Sequence, residues 1–184
     1  MYVDATEKRR PIGVLMIEHR TIERALDRFE AMSRGALIPA DSVDVAALVD
    51  FFGTYADEVH HGKEEAILFA EVDVERLDAE MTVLLEAIKQ EHVAFRAYRR
   101  QLDEANRRLA AGDGSGRDDV NRILDEFIPK LRAHITKEDE LLFRALDRLQ
   151  DDDTRREMMR RFRDYDAETL HRGYARVAQS AVSA

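Results

Sequence analysis

Residues 60–69 read His60-His61-Gly62-Lys63-Glu64-Glu65-Ala66-Ile67-Leu68-Phe69, and residues 134–143 read His134-Ile135-Thr136-Lys137-Glu138-Asp139-Glu140-Leu141-Leu142-Phe143. The common frame is His-x-x-Lys-Glu-acid-x-aliphatic-Leu-Phe. Each copy sets a His and a Glu four positions apart, at His60/Glu64 and His134/Glu138. On a helix that spacing brings both side chains to one face, about 5–6 Å apart at Cβ. An imidazole beside a carboxylate, supplied twice, fits a two-metal site inside a four-helix bundle.

The repeat extends outward. Glu18-His19 precedes the first copy and Glu91-His92 precedes the second. The histidines of these dipeptides are 92 − 19 = 73 positions apart, and those of the longer boxes 134 − 60 = 74. The chain therefore reads as one helical hairpin written twice, each with a single His on its first helix and His-x-x-x-Glu on its second. At 1.5 Å per residue, His19 sits about 12 Å into helix one and Glu64 about 9 Å from the end of helix two. His92 and Glu138 are each about 16 Å from the matching ends of helices three and four. In antiparallel pairs these heights bring His19, His60, Glu64, His92, His134 and Glu138 to a common level.

Helix signals support four such segments. Pro11 suits a first turn, and Val14, Ile17, Ile22, Leu26 and Phe29 give helix one an apolar face to about Ser33. Gly35 and Pro39 mark a connection, with Asp41, Ser42 and Asp44 as N-cap candidates. Helix two runs from about Val43 to Ala70. Gly53 and Gly62 each weaken it by about 1 kcal/mol relative to Ala; Gly62 either permits a close approach or is merely tolerated. Helix three spans about Ala79 to Ala111, with Met81, Leu84, Leu85, Ile88, Phe95 and Leu102 inward. Gly112-Asp113-Gly114-Ser115-Gly116 is the clearest loop. Helix four, from about Asp118 to Leu149, contains Pro129, expected to kink it one turn before His134. Asp151-Asp152-Asp153-Thr154 opens a fifth helix, expected to pack through Met158, Phe162, Leu170 and Val177. The expected fold is all-α, an up-down-up-down four-helix bundle with an added C-terminal helix. Residues 1–10 read as a polar tail, 11–149 as the bundle and 150–184 as the added helix.

Composition bounds the function. A chain of 184 residues can bury a sizeable core. Net charge is −9, which argues against nonspecific nucleic-acid binding and a basic membrane-surface helix. With no Cys, disulfides, iron–sulfur clusters and thiol catalysis are excluded. The apolar run Val14 to Ile17 is too short for a signal-peptide core or a membrane span, and a cytoplasmic location is expected.

The donor set has no thiolate, and mixed imidazole and carboxylate ligands suit Fe, Mn or Zn. Six ligands on two metals, with both Glu able to bridge, leave positions open to a small molecule; a single zinc would need only three or four of them. His61 and Glu65 also stand four apart, but about 100° around an α-helix from the first pair, and Ile135 occupies the corresponding place in the second copy. They are read as outside the ligand set. Lys63 and Lys137 are read as solvent-facing or paired with nearby acids, and Leu68-Phe69 and Leu142-Phe143 as core. A rival set uses two Glu-x-x-His motifs, Glu58/His61 and Glu168/His171, as in ferritin-like diiron bundles. Their surroundings do not match each other, whereas the His-x-x-x-Glu boxes match over ten residues.

The order His19, His60/Glu64, His92, His134/Glu138 resembles the hemerythrin-like, or HHE cation-binding, family across residues 11–149. The resemblance implies a non-haem diiron centre with two bridging carboxylates and no catalytic residue beyond the ligands. It implies that two Fe ions react with or bind O2, peroxide or nitric oxide, with Mn or Zn as substitutes. Oxygen carriers of the family have a further His on the third helix; here Ile88 and Arg96 flank His92 at one turn. Fewer His ligands favour redox chemistry or sensing over reversible transport. No tyrosinate ligand is expected at Leu68-Phe69. Peroxidase, catalase-like or nitric-oxide-reducing turnover, reversible sensing, and iron donation to a protein partner are the competing classes. The small ligand and a redox or iron-accepting protein are the expected partners, with no nucleic acid or membrane.

Overall fold

In the computed structural model the backbone is described for residues 10–33 and 42–182, and side chains for 10–31 and 43–172. The expected caps Asp41 and Ser42, the connection at Gly35 and Pro39, and the Val177 contact lie outside the described side chains. Helix α1 spans Pro11–Ser33, and α2 spans Ser42–Phe51. The second bundle helix then continues in wider π geometry at Phe52–His61 and Glu64–Leu68. Helix α3 covers Ala79–Ala110, and α4 covers Ser115–Lys137. A further π segment, Glu138–Leu142, carries α4 into α5, Phe143–Leu149. Helix α6 runs Asp152–Val182. Among the described residues there is no strand.

Local chemistry sets the ends. Asp78 caps α3, its Oδ1 accepting from the Met81 N–H at 2.8 Å. Asp151 does the same for Thr154 at the start of α6, also at 2.8 Å. Helix α3 stops at Gly112, which has φ +81°. The Gly112 N–H bonds the Leu109 carbonyl and the Asp113 N–H bonds that of Arg108, the paired closure typical of a glycine-ended helix. Helix four begins at Ser115 instead of the expected Asp118. Gly116 accounts for the early start, because a Cβ there would meet the Leu109 backbone nitrogen at 2.5 Å. Only a glycine lets the new helix leave so close to the old one. Pro129 lies inside α4, which runs through it unbroken.

Helices α1 and α4, α2 and α3, and α3 and α4 pack as neighbours, and α1 also meets the π segment of helix two, closing a four-membered ring. Connections as short as residues 111–114 make sequential neighbours antiparallel. Two apolar clusters fill the ring. One gathers Ile22, Leu26, Phe52, Phe95, Leu102 and Phe127. The other gathers Leu15, Leu68, Ile88, Leu142, Phe143 and Phe162. The helix-one face is turned slightly from expectation: Leu15 is fully buried and Ile17 is 37% exposed. Met158 and Phe162 of α6 are buried as expected, but Leu170 is 61% exposed and Thr169 takes the inward place. Tyr165 of α6 rests on Gly62, where a Cβ would lie 2.1 Å from its hydroxyl oxygen. Gly62 therefore serves close approach. No described helix is long and apolar enough to cross a membrane.

Candidate metal centre

The six residues singled out by the repeat meet in the interior, and all six are fully buried. Glu138 Oε2 lies 3.2 Å from Nε2 of His19 and 3.2 Å from Nε2 of His134. Its Oε1 lies 3.9 Å from Nε2 of His92. Glu64 Oε1 lies 3.4 Å from Nε2 of His60, and its Oε2 lies 3.4 Å from Nε2 of His92. Yet none of these four Nε2 atoms or four carboxylate oxygens makes a hydrogen bond. A buried polar atom without a partner costs about 1–3 kcal/mol, more if charged. Eight converging on one space is the arrangement that cations would satisfy. Donor atoms of His19, His60, Glu64 and Glu138 lie within 4.8 Å of one another, as do those of His61, His92 and His134.

The outer nitrogens are all engaged. Nδ1 of His19 donates to Asp139 at 2.7 Å, that of His60 to Glu18 at 3.0 Å, that of His92 to Glu65 at 2.8 Å, and that of His134 to Glu91 at 2.8 Å. A proton held on Nδ1 by a carboxylate leaves the Nε2 lone pair facing inward, the usual way a metal-binding imidazole is oriented. Those carboxylates are themselves held. Glu18 pairs with Lys63, Glu91 with Lys137, Asp139 with Arg20, and Glu65 with Arg96. The repeated frame is thus explained almost residue by residue. Its His and Glu face the site, its Lys grips the acid that orients that His, and the acid after the Glu orients the lone His of the other copy's level.

Charge is poorly balanced without a cation. Burial works against charge on His19, but Asp139 and Glu138 outweigh it and raise the imidazole to about 9. Burial, with His19 beside it, pushes His60 down to about 4. Burial and the neighbouring Glu138 drive Glu64 well above the usual carboxylate range. Burial acts on Glu138 in the same sense, but His134, His19 and His92 hold it well below that range. One protonated and one ionised carboxyl side by side is the compromise of two acids sharing a pocket.

Three aromatic rings close the site. Phe143 stacks on His19 with centroids 5.5 Å apart, Phe95 meets His134 edge-on at 5.0 Å, and Phe69 lies 6.1 Å from His92. They belong to the two apolar clusters, so the polar layer is sandwiched between hydrocarbon above and below.

The structure departs from the sequence-based expectation at His61. It is buried, its ring stacked on His92 at 4.0 Å between centroids and 5.7 Å from that of His134. The 100° separation from His60 assumed an α-helix. Residues 52–61 form π turns, whose i→i+5 bonds widen the coil and reduce the angle between neighbours, and both histidines are buried. Glu65 is likewise engaged, as partner of His92. The four orienting acids were visible in the sequence as Glu18-His19, Glu91-His92 and the acid after each Glu, but the repeat alone assigned them no task. Glu168 and His171 are exposed on α6, away from the interior, and Glu58 joins neither donor group. The paired Glu-x-x-His arrangement does not form.

Comparison with curated proteins and with solved structures gave no match. The family model described as the hemerythrin HHE cation binding domain matches residues 10–86 and 83–181. Each match carries one His and one His-x-x-x-Glu box, and together they cover most of the sequence. On that match, and with its His and Glu donors gathered in a buried interior, the chain belongs to the hemerythrin HHE cation-binding domain family, a family of metal-binding domains.

Proposed function

We propose that the chain is a non-haem diiron protein that binds or reacts with O2, peroxide or nitric oxide. His19 and His60 would hold one iron and His92 and His134 the other, with Glu64 and Glu138 as carboxylate ligands available to both. So held, the irons would supply open coordination positions and electrons to a small oxidant. Manganese or zinc suits the same oxygen and nitrogen donors.

The observation that carries the reading is the set of eight buried, inward-facing donor atoms without hydrogen-bond partners. The chain's own groups perform three tasks. Asp139, Glu18, Glu65 and Glu91 each engage Nδ1 of one imidazole and so turn its Nε2 toward the interior. Burial and the neighbouring Glu138 raise the Glu64 carboxyl well above the usual carboxylate range, so a bound cation would favour its ionised, ligating form. Phe69, Phe95 and Phe143 keep bulk water from the layer, which strengthens every electrostatic contact inside it.

The test is metal analysis of protein expressed in iron-supplemented medium and purified without oxygen or chelator. Absorption spectra of the reduced protein on exposure to air follow. About two irons per chain and a new visible band on exposure support the reading. Less than one metal per chain contradicts it.

A further inference from the structure

Four histidines in the interior follow one rule: Nε2 inward, Nδ1 to a carboxylate. His61 is a fifth histidine in the same layer, and both its ring nitrogens lack hydrogen-bond partners despite burial. A neutral imidazole there has an unused lone pair and an unused N–H. A purely packing role leaves both unsatisfied, a cost that phenylalanine at the same place would avoid.

The surroundings supply both partners. Donor atoms of His61, His92 and His134 lie within 4.8 Å of one another. Nδ1 of His61 faces Asp57 Oδ1 at 3.9 Å, one helical turn earlier. Asp57 is held by Arg96, whose Nε donates to its Oδ1 at 2.7 Å. The same guanidinium donates through Nη2 to Glu65 at 2.9 Å, and Glu65 orients His92. One arginine thus fixes the carboxylates behind two adjacent, stacked imidazoles.

We propose that His61 is a fifth imidazole ligand of the metal centre, on the ion held by His92 and His134, with Asp57 as its orienting carboxylate. The proposal rests on the diiron reading above. It makes the two ions unequal: two imidazoles on one, three on the other. The asymmetry comes from the second bundle helix. The duplicate half has Ile135, buried, in the matching place, and nothing to ligate with. The position is buried in both halves, so the difference lies in the residue it carries, His61 against Ile135.

The test compares wild-type protein with His61→Phe, which keeps the stacked ring and removes both nitrogens. Iron content under competition with a graded chelator, and Mössbauer spectra of protein loaded with the iron-57 isotope, are the readouts. The expected wild type holds two irons with two distinct quadrupole doublets. The expected variant folds by circular dichroism, keeps one iron, and holds the second at least tenfold more weakly with altered splitting of one doublet. Two irons of wild-type affinity and unchanged doublets in His61→Phe overturn the assignment while leaving the diiron reading intact. A wild type without metal sinks both.

A second measurement needs no variant at position 61. In cobalt-loaded wild type, hyperfine-shifted exchangeable imidazole N–H resonances are expected to number five. Four would overturn the proposal. Asp57→Asn is expected to move one of the five and leave four in place, which a merely structural aspartate would not do.

Discussion

Asp139 Oδ1 lies 2.7 Å from Nδ1 of His19, a contact between residues 120 positions apart in the chain. It joins the start of the first hairpin to the end of the second, next to Glu138. Arg20 holds the other Asp139 oxygen. The carboxylate therefore sets the imidazole's angle and its tautomer together.

Asp139→Asn keeps the shape but can no longer stabilise a proton-bearing Nδ1 as an anion does. Loss of such an outer partner typically costs 10–100-fold in metal affinity. The expected outcome is a loss in that range by chelator competition, with helicity retained. Glu140→Gln, at an exposed neighbouring position, is the control and is expected to leave affinity unchanged. Equal affinities for Asp139→Asn and wild type would remove Asp139 from the site.

Metal loading is expected to release protons at pH 7. Without metal, Asp139 and Glu138 overcome burial to keep His19 protonated up to about 9. Burial and Glu138 also shift Glu64 upward, toward its neutral form. His19 must lose its proton to become a ligand, and any proton on Glu64 must leave with it. His60, pushed to about 4 by burial and His19, is already neutral and contributes none. Affinity should therefore rise with pH up to about 9. For the metal-free fold the sign is opposite: the stabilisation from His19 is complete below about 6.5 and lost as pH rises through 9. Calorimetry of metal binding in two buffers of different ionisation enthalpy counts the protons. A count of zero would contradict this electrostatic picture.

The constellation was legible because metal binding demands particular residues at fixed spacing, and duplication printed that spacing twice. Helical heights then fixed which ends meet. The burial of His61 was not legible because a 100° step from His60 pointed it away from the site, and local sequence gave no sign of the π geometry there. Leu170 was misread for a related reason. Helix α6 covers the bundle along one side only, so one residue of rotation exchanges Leu170 for Thr169. The orienting acids were hidden by their number: with Asp and Glu totalling 38, an acid beside a histidine is unremarkable until its partner 120 positions away is known.

Gly62 gives a sharp test of how α6 seats. A methyl group there would lie 2.1 Å from the Tyr165 hydroxyl oxygen and 2.9 Å from the ring carbon bearing it. Tyr165 is also tied by its hydroxyl to the Glu58 carbonyl at 3.0 Å. Gly62→Ala is expected to destabilise by about 1–3 kcal/mol, as overpacking does, despite the better helix propensity of alanine. Adding Tyr165→Ala should recover part of the loss, so the two changes are non-additive. Gly53→Ala meets only the flexible Arg99 side chain at 3.3 Å and is expected to be nearly neutral. Urea denaturation of the four variants checks this, and additivity of Gly62→Ala with Tyr165→Ala would contradict the contact.

The two lysines of the repeat should behave differently although they occupy equivalent places. Lys137 pairs with Glu91 and is 34% exposed, so water already screens the pair. Lys63 is 0% exposed, paired with both Glu18 and Asp166 and 5.7 Å above the centre of the Phe162 ring. Asp166 and Phe162 belong to α6, so the added helix converts a surface ion pair into a buried one. Removing Lys63 leaves Glu18 with His60 as its remaining partner inside the cover. Breaking a fully buried pair costs about 3–5 kcal/mol; Asp166 is 41% exposed, which puts Lys63→Met nearer 2–3 kcal/mol. Lys137→Met is expected to cost less than about 1 kcal/mol. Thermal melts of the metal-free proteins would show this as a Tm loss of about 2–4 °C for each kcal/mol. Equal losses for the two variants would mean that α6 does not shield Lys63 from water.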